Sequence, residues 1–220
     1  PGDITTAAIA KRMNLTQGLR RAVQIRPRSA ATKDGDTQRS WSEVFDRVPR
    51  IAGALRALGL ENEDRAAVLS LNNAQYFELL FAVPWAGGSV VPLNTRLAAA
   101  EIDYILEDSG AKVLFVDKTF APMLGALKAP GRMRTVIQFD SAHEANGVVP
   151  FEPLISDAEA VEDALRGGSD LAGIYYTGGT TGRPKGVMLS HDNIVCNATN
   201  VVISLGYDRD TRYLHAPPMF

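Results

Sequence analysis

The sequence is poor in the residues that build disulfides and soft metal centres. It holds a single cysteine, Cys196, and three scattered histidines among 220 residues. One cysteine excludes an internal disulfide framework and a cysteine metal cluster. The histidines lack the spacing of a local zinc site. Cys196 falls in a helix-like stretch, and we interpret it as a buried, inert thiol.

Neither an excess of one charge nor a long apolar run is present. The formal net charge is -2, which does not indicate a nucleic acid or an anionic membrane as the main partner. The longest apolar run, 79–93, is interrupted by Pro84, Gly87 and Gly88 and is too short to span a bilayer. We find no basic start followed by an apolar segment, the pattern that indicates a signal peptide. We therefore expect a cytoplasmic protein without an integral membrane segment.

What the sequence does contain is an alternation of helix and strand patterns. Hydrophobic residues make up 45% of the chain, which is typical of a globular protein. The predicted strands are 65–71, 89–93, 111–117, 134–139 and 171–177. The predicted helices are 40–59, 74–87, 98–110, 120–128 and 190–205, with a further helix beginning at Leu15. This alternation predicts an α/β fold, a mostly parallel sheet with helices on both faces.

Two segments fall outside the alternation. Residues 1–12 precede Met13, which is a plausible natural start. We interpret them as an artificial addition or a short native extension and exclude them from the fold. Residues 140–153 are rich in turn formers, which predicts an irregular surface connection.

The segment YYTGGTTGRPKGVMLSH, residues 175–191, carries the main functional signal. Its glycines permit a tight turn and expose amide donors, its threonines add hydroxyls, and its lysine is a point charge suited to phosphate. These residues are Thr177, Gly178, Gly179, Thr180, Thr181, Gly182 and Lys185. The segment follows a predicted strand, at the end of the sheet where open α/β folds bind ligands. Together these features predict a polyphosphate cradle.

Two common nucleotide motifs do not match this segment. The pattern G-x-x-x-x-G-K-[ST] fails because Arg183 or Pro184 stands at its second glycine, and Gly186 follows the lysine. The dinucleotide fingerprint G-x-G-x-x-G is absent. A plain surface turn with a solvated lysine is the alternative, and the entropic cost of clustered glycines disfavours it.

The stretch TGGTTGRPKG, residues 177–186, resembles the phosphate loop of the AMP-forming ligases, the adenylate-forming superfamily. The resemblance covers nearly the whole chain from Met13. Residues 64–117 are similar to acyl-CoA synthetases in particular, and residues 213–220 resemble a strand that leads into a histidine of the acyl pocket. Gly178 departs from the serine that many members carry, which removes one hydroxyl donor.

The resemblance implies an acid–thiol ligase that uses ATP, Mg2+ and coenzyme A. A carboxylic acid, fatty or aromatic, would form an acyl-adenylate and pyrophosphate, and a thiol would then displace AMP. By resemblance, Thr177 lies near Mg2+ and Lys185 is the catalytic cation at the β- or γ-phosphate. The other ATP-binding positions would be Gly178, Gly179, Thr180, Thr181 and Gly182. The hydroxyls of Thr180 and Thr181 could instead only stabilise the turn.

Three further side chains receive a weaker interpretation. Arg183 is predicted to be a solvated loop charge, and His191, beside a helix start, is predicted to be structural rather than catalytic. Arg96 matches a family-typical position without a role that the sequence explains.

The resemblance also implies how the chain is organised. Residues 13–220 would be the N-terminal portion of an AMP-binding domain whose adenine, ribose, metal-glutamate and C-terminal lysine sites lie beyond Phe220. We expect the 220 residues alone to be inactive and to leave apolar surface uncovered. Two alternatives stay open: an adenylation domain that loads a carrier protein, and a non-catalytic nucleotide-binding module.

Overall fold

A computed structural model of the chain describes residues 12–140, 147–178 and 182–220. Its strands are β1 Ala30–Asp34, β2 Thr37–Ser40, β3 Arg65–Leu69, β4 Ser89–Pro92, β5 Ala111–Val116, β6 Thr135–Gln138, β7 Val148–Pro150, β8 Leu171–Thr177 and β9 Lys185–Ser190. Its α-helices are α1 Leu15–Ile25, α2 Trp41–Ala57, α3 Ala74–Trp85, α4 Ala99–Ser109, α5 Phe151–Ser156 and α6 His191–Leu205. Two 3₁₀ helices lie at Ala121–Ala126 and Ala129–Arg132.

The main sheet has the strand order β7-β6-β5-β3-β4-β8-β9. Neighbouring strands from β7 through β8 run parallel, and β9 alone among them pairs antiparallel, with β8. The connection over 178–184 is too short for a parallel crossover, so β8 and β9 can only form a hairpin. The predicted α/β fold with a mostly parallel sheet is confirmed.

Both faces of this sheet are covered by helices. In β3, Ala66 and Val68 pack into a core shared with α2 and α3, whereas Ala67 and Leu69 pack into a core shared with α4. Alternate residues of a strand point to opposite faces, and all four are fully buried. The sheet therefore supports a core on each side, as the sequence predicts.

The helix ends follow their local sequence signals. Ser40 and Glu43 form a complete capping box at the start of α2, with each residue bonding the other's backbone. Gly110 and Gly206 end α4 and α6 at φ values of +62° and +64°. This left-handed conformation favours glycine because a Cβ would be strained there.

The predictions for 120–128 and 140–153 need correction. Residues 121–126 form a 3₁₀ helix rather than an α-helix, and Pro122 and Gly125 within this short stretch are poor α-helix formers. Within 147–153, β7 and the start of α5 are regular structure, while 141–146 lie outside the described residues. Elements this short have too few residues to produce a recognisable period.

The hairpin of β1 and β2 was not predicted from the sequence. Its turn contains Gly35 at φ +56°. The two-residue loop Gly35–Asp36 is a hairpin signal, but the flanking strands are mostly exposed and therefore lack apolar alternation.

Of residues 1–12, only Arg12 lies among the described residues, 3.7 Å from a carboxylate oxygen of Asp170. The prediction of uncovered apolar surface is confirmed at the β9 and α6 side and near the C-terminus. The exposed apolar residues there are Val187, Met188, Val201, Val202, Ile203, Leu205, Tyr213 and Leu214. Among the helices that the structure describes, none is long and apolar enough to cross a membrane.

Candidate active site

The glycine–threonine loop leaves the carboxyl end of β8 and returns into β9. Since β3, β4, β5, β6 and β8 run in one direction, their carboxyl ends share this edge of the sheet. Gly179, Thr180 and Thr181 lie outside the described residues, so their predicted contacts with phosphate stay predictions. The residues on either side of them are described.

The hairpin brings the two ends of the loop together. Thr177, the last residue of β8, is the cross-strand partner of Lys185, the first residue of β9, and Tyr176 is the partner of Gly186. Thr177 and Lys185 are both exposed. Directly opposed residues on an antiparallel pair have Cβ atoms about 5 Å apart. The side chains of Thr177 and Lys185 therefore leave neighbouring points of the backbone at the mouth of the loop.

Gly178 and Gly182 are glycines that the described part of the fold does not require. Among the described residues, no atom lies within 4 Å of a Cβ built on either residue, and Gly178 has no positive φ. Packing against the described residues thus gives no reason for glycine at these positions. What glycine provides there is a bare backbone, which a ligand can approach closely.

At Gly173 and Gly186, by contrast, the packing leaves no room for a Cβ. A Cβ on Gly173 would lie 2.9 Å from the carbonyl oxygen of Val90, where β8 meets β4. A Cβ on Gly186 would lie 2.7 Å from Cγ2 of Ile174 and 3.0 Å from Cζ of Tyr176. These two glycines serve strand packing, so the glycines of this region have two separate physical purposes.

Below the loop, Tyr176 is joined to α4. Its phenol donates a 2.6 Å hydrogen bond to Oδ2 of Asp108, and the phenol of Tyr104 lies 3.4 Å from Oδ1 of the same carboxylate. Burial and the bond to Asp108 raise the pKa of Tyr176, so the phenol stays protonated as the donor. The sequence pattern did not indicate that Tyr104 or Asp108 lies near the loop, because the contact of α4 with β8 forms only in the tertiary structure.

Arg183 is not simply a solvated loop charge. It remains exposed, but its guanidinium carbon lies 5.2 Å from the ring centroid of Tyr104, within the range of a cation–π contact. The prediction missed this because the aromatic partner lies on α4, far away in sequence.

His191 occupies a structural position, as predicted. It is fully buried at the start of α6, and its Nδ1 accepts a 3.3 Å hydrogen bond from the backbone N–H of Leu15. Burial lowers the pKa of His191, and the nearby Asp170 carboxylate partly opposes this effect. The neutral imidazole, by accepting this backbone hydrogen bond, connects α1 to α6.

The predicted strand over 213–220 is wrong, because this segment is irregular. Asn72, beyond the carboxyl end of β3, holds it instead: the Asn72 amide donates to the Pro217 carbonyl at 2.7 Å and accepts from the Met219 N–H at 2.9 Å. The Tyr76 hydroxyl lies 3.4 Å from the Met219 carbonyl. Hydrogen bonds from side chains, not strand pairing, thus hold the backbone of this segment. The sequence pattern did not reveal these bonds.

Two other interpretations can be compared with the structure. Cys196 lies in α6 as expected, but it is exposed rather than buried, because α6 is exposed on all sides over residues 196–205 and no described element covers it there. Arg96 follows β4 and is also exposed; its backbone N–H donates to the Asn94 side chain at 2.9 Å.

The donor set near the loop fits Mg2+ only in part. Within the described parts of the chain, no group of three or more His, Cys, Asp or Glu side chains could hold a metal ion. The Thr177 hydroxyl is a hard oxygen of the kind that Mg2+ prefers. One protein oxygen suits an ion that keeps its waters and is held mainly by substrate phosphates.

Comparison with known proteins finds relatives over most of this chain. The chain is 37% identical over 200 residues to a feruloyl-CoA synthase from Amycolatopsis sp, covering 91% of this chain and 38% of that protein. It is 33% identical over 213 residues to the long-chain-fatty-acid–CoA ligase FadD13 of Mycobacterium tuberculosis, covering 94% and 41%. The crystal structure of ATP-bound MatB from Rhodopseudomonas palustris matches with a TM-score of 0.80 and 31% identity, over 94% of this chain and 40% of that one.

The chain thus spans less than half the length of these relatives. A family model described as AMP-binding enzyme matches residues 19–220. That match includes the whole main sheet and the loop between β8 and β9. By this match, the chain belongs to the family of AMP-binding enzymes.

Proposed function

We propose that this chain supplies the phosphate-binding part of an ATP-dependent, AMP-forming ligase. In the full-length protein a carboxylic acid would attack the α-phosphate of ATP, giving an acyl-adenylate and pyrophosphate, and the thiol of coenzyme A would then displace AMP. The observation that carries the proposal is the hairpin that holds Lys185 opposite Thr177 at the mouth of a glycine loop. The bare backbones of Gly178 and Gly182 support it further.

The physical difficulty of the first step is that a carboxylate anion must approach a polyphosphate anion. In our proposal, Lys185 binds the β- or γ-phosphate and stabilises the negative charge that shifts onto pyrophosphate as it leaves. The loop amides and the hydroxyls of Thr177, Thr180 and Thr181 would orient the phosphate oxygens. Little acid–base chemistry is needed, so positioning and electrostatics account for the rate.

Mg2+ would supply charge neutralisation on the phosphate oxygens. Thr177 is the residue that we place beside it, since its hydroxyl is an exposed hard donor at the end of β8. The ammonium of Lys185 would then act on a different part of the same polyphosphate.

For the acid we propose an aromatic or long-chain fatty acid. The motivation is the similarity to a feruloyl-CoA synthase and to a long-chain-fatty-acid–CoA ligase at 37% and 33% identity. We place the enzyme in the cytoplasm, where its exposed thiol at Cys196 would stay reduced.

The test uses the full-length protein with MgATP and a panel of aromatic acids, fatty acids and amino acids. We expect acid-dependent pyrophosphate release with at least one aromatic or fatty acid, followed by thioester formation when coenzyme A is added. Pyrophosphate release only with amino acids, or release that no acid stimulates, would contradict the proposal.

A further inference from the structure

The helix α4 contacts the loop region at two points, one on each side of the loop. On the β8 side, Tyr176 immediately precedes Thr177 and donates its 2.6 Å hydrogen bond to Asp108. A bond from a phenol to a carboxylate is charge-assisted and shorter than an ordinary hydrogen bond between neutral groups. It fixes the direction of the Tyr176 ring at the point where β8 ends.

On the β9 side, Arg183 precedes Lys185 by two residues. Its guanidinium lies over the ring of Tyr104, 5.2 Å from the centroid. Tyr104 and Asp108 are four residues apart on one helix and so occupy the same face. A single helical turn therefore contacts the chain before the loop and the chain after it.

This helical turn is itself held firmly. Between and beside Tyr104 and Asp108, the residues Ile102, Ile105 and Leu106 are almost fully buried in the core under α4. The helix ends at Gly110 in a left-handed cap. Contacts made to α4 are therefore contacts to a fixed part of the fold.

The Tyr176 ring also constrains β9. It lies against Gly186, where a Cβ would come within 3.0 Å of the ring atom Cζ. Since Gly186 directly follows Lys185, the position of the Tyr176 ring limits where the start of β9 can lie. The bond to Asp108 thus acts on both strands of the hairpin.

We propose that Tyr104 and Asp108, together the α4 anchor, are positioning residues that hold both ends of the loop through Tyr176 and Arg183. The anchor touches no substrate. It sets the position of the Thr177–Lys185 pair and so reduces the conformational freedom that ATP binding must remove. This inference rests on the proposed function for its catalytic consequence, but its structural consequence does not depend on any activity.

The anchor predicts a specific kinetic pattern. Loss of one anchoring contact should raise KM for ATP and slow adenylation by about three- to tenfold, the factor expected for one net hydrogen bond. The KM for the acid should change little. Thioester formation from a supplied acyl-adenylate should also be unchanged, because pyrophosphate is absent from that step.

The test compares Tyr176→Phe, Asp108→Asn and Tyr104→Leu with the wild type in the full-length protein. Tyr104→Phe is a conservative partner that keeps the ring under Arg183. Asp103→Asn is the matched control: Asp103 also lies on α4, but its carboxylate accepts hydrogen bonds from the backbone N–H groups of Lys128 and Ala129 at 2.9–3.0 Å and forms no hydrogen bond or ion pair with the described residues of the hairpin.

The first readout is hydrogen–deuterium exchange of peptides covering 174–188, without substrates. We expect faster exchange in Tyr176→Phe, Asp108→Asn and Tyr104→Leu, and exchange close to wild type in Tyr104→Phe and Asp103→Asn. Equal exchange at 174–188 in wild type and all anchor variants would overturn the inference. So would equal acceleration in the Asp103→Asn control.

The second readout separates this inference from the proposed function. If the wild type performs adenylation, the anchor variants should show the raised KM for ATP, and an unchanged KM and rate would overturn the anchor. If the wild type performs no adenylation with any acid, the proposed function fails, and the exchange experiment still decides whether the anchor holds the hairpin.

Discussion

Lys185 stands directly opposite Thr177 in the antiparallel pair of β8 and β9, so the two ends of the glycine–threonine loop are fixed to one another by strand pairing. The lysine is the first residue of its strand and the threonine the last of its own. This arrangement places a cation and a hydroxyl at one edge of the parallel sheet without using any residue of the core.

The first prediction concerns Gly186, whose added Cβ would lie 2.7 Å from Ile174 and 3.0 Å from the Tyr176 ring. Gly186→Ala should displace that ring, destabilise the fold by about 1–3 kcal/mol as overpacking does, and raise KM for ATP. Thermal unfolding and ATP-dependent adenylation measure the two effects. The control is Gly18→Ala in α1, where a Cβ meets nothing within 4 Å and stability should rise slightly. Unchanged stability and KM in Gly186→Ala would refute the packing argument.

The second prediction concerns the buried carboxylate of Glu78. It is fully buried, and Nε of Arg47 lies 2.9 Å and Nε of Arg39 3.4 Å from its Oε1. Glu78→Gln should cost roughly 3 kcal/mol of unfolding free energy, because two largely buried arginines lose the buried one of their two carboxylate partners and keep only Glu152. Glu152 binds the same Arg47 but its side chain is 43% exposed, so Glu152→Gln should cost under about 1 kcal/mol. Urea denaturation of both variants provides the measurement; equal costs would contradict this ranking.

The third prediction is a pH dependence of stability through His191. Burial lowers the pKa of His191 from its ordinary value of 6.5, so the unfolded chain takes up the proton more readily than the folded one. The stabilising contribution is therefore complete above about pH 6.5 and is lost as the pH falls below that value. The charged groups that affect this pKa are Asp163, Asp170, Asp192 and Arg166.

The measurement is the melting temperature of wild type and His191→Asn between pH 7.5 and pH 5. Asparagine offers an uncharged acceptor to the Leu15 N–H that His191 now binds. The wild type should lose more stability on acidification than the variant. Parallel curves would show that His191 does not contribute to the acid sensitivity.

The sequence predicted helices and strands correctly where the signal lies within the element itself. The capping box of Ser40 and Glu43, the stop at Gly206 and the buried strands β3, β4 and β5 all appear where the pattern predicts them. Each depends on near neighbours in sequence or on continuous burial. The carboxyl-end position of the loop follows from the parallel direction of β3, β4 and β8, which short apolar strands between helices favour.

The residues that the sequence did not reveal are those whose partners are distant in the chain. Asp108 receives its bond from Tyr176 across 68 positions, and Asn72 holds Met219 across 147. Cys196 was misplaced for a related reason: helical periodicity identifies α6, but it does not tell which part of the helix other elements cover. The described core leaves this part of α6 exposed.

The most direct test of the account is to measure both half-reactions in the full-length protein, wild type and Lys185→Ala. We predict that adenylation slows by roughly tenfold to a thousandfold, the scale of one preorganised electrostatic contact, while thioester formation from a supplied acyl-adenylate is hardly affected. Lys185→Arg should restore adenylation only in part, because a forked guanidinium places its charge differently. The fold should survive, since Lys185 is exposed. If both half-reactions slow equally, or neither slows, Lys185 does not stabilise the departing pyrophosphate and the central claim is wrong.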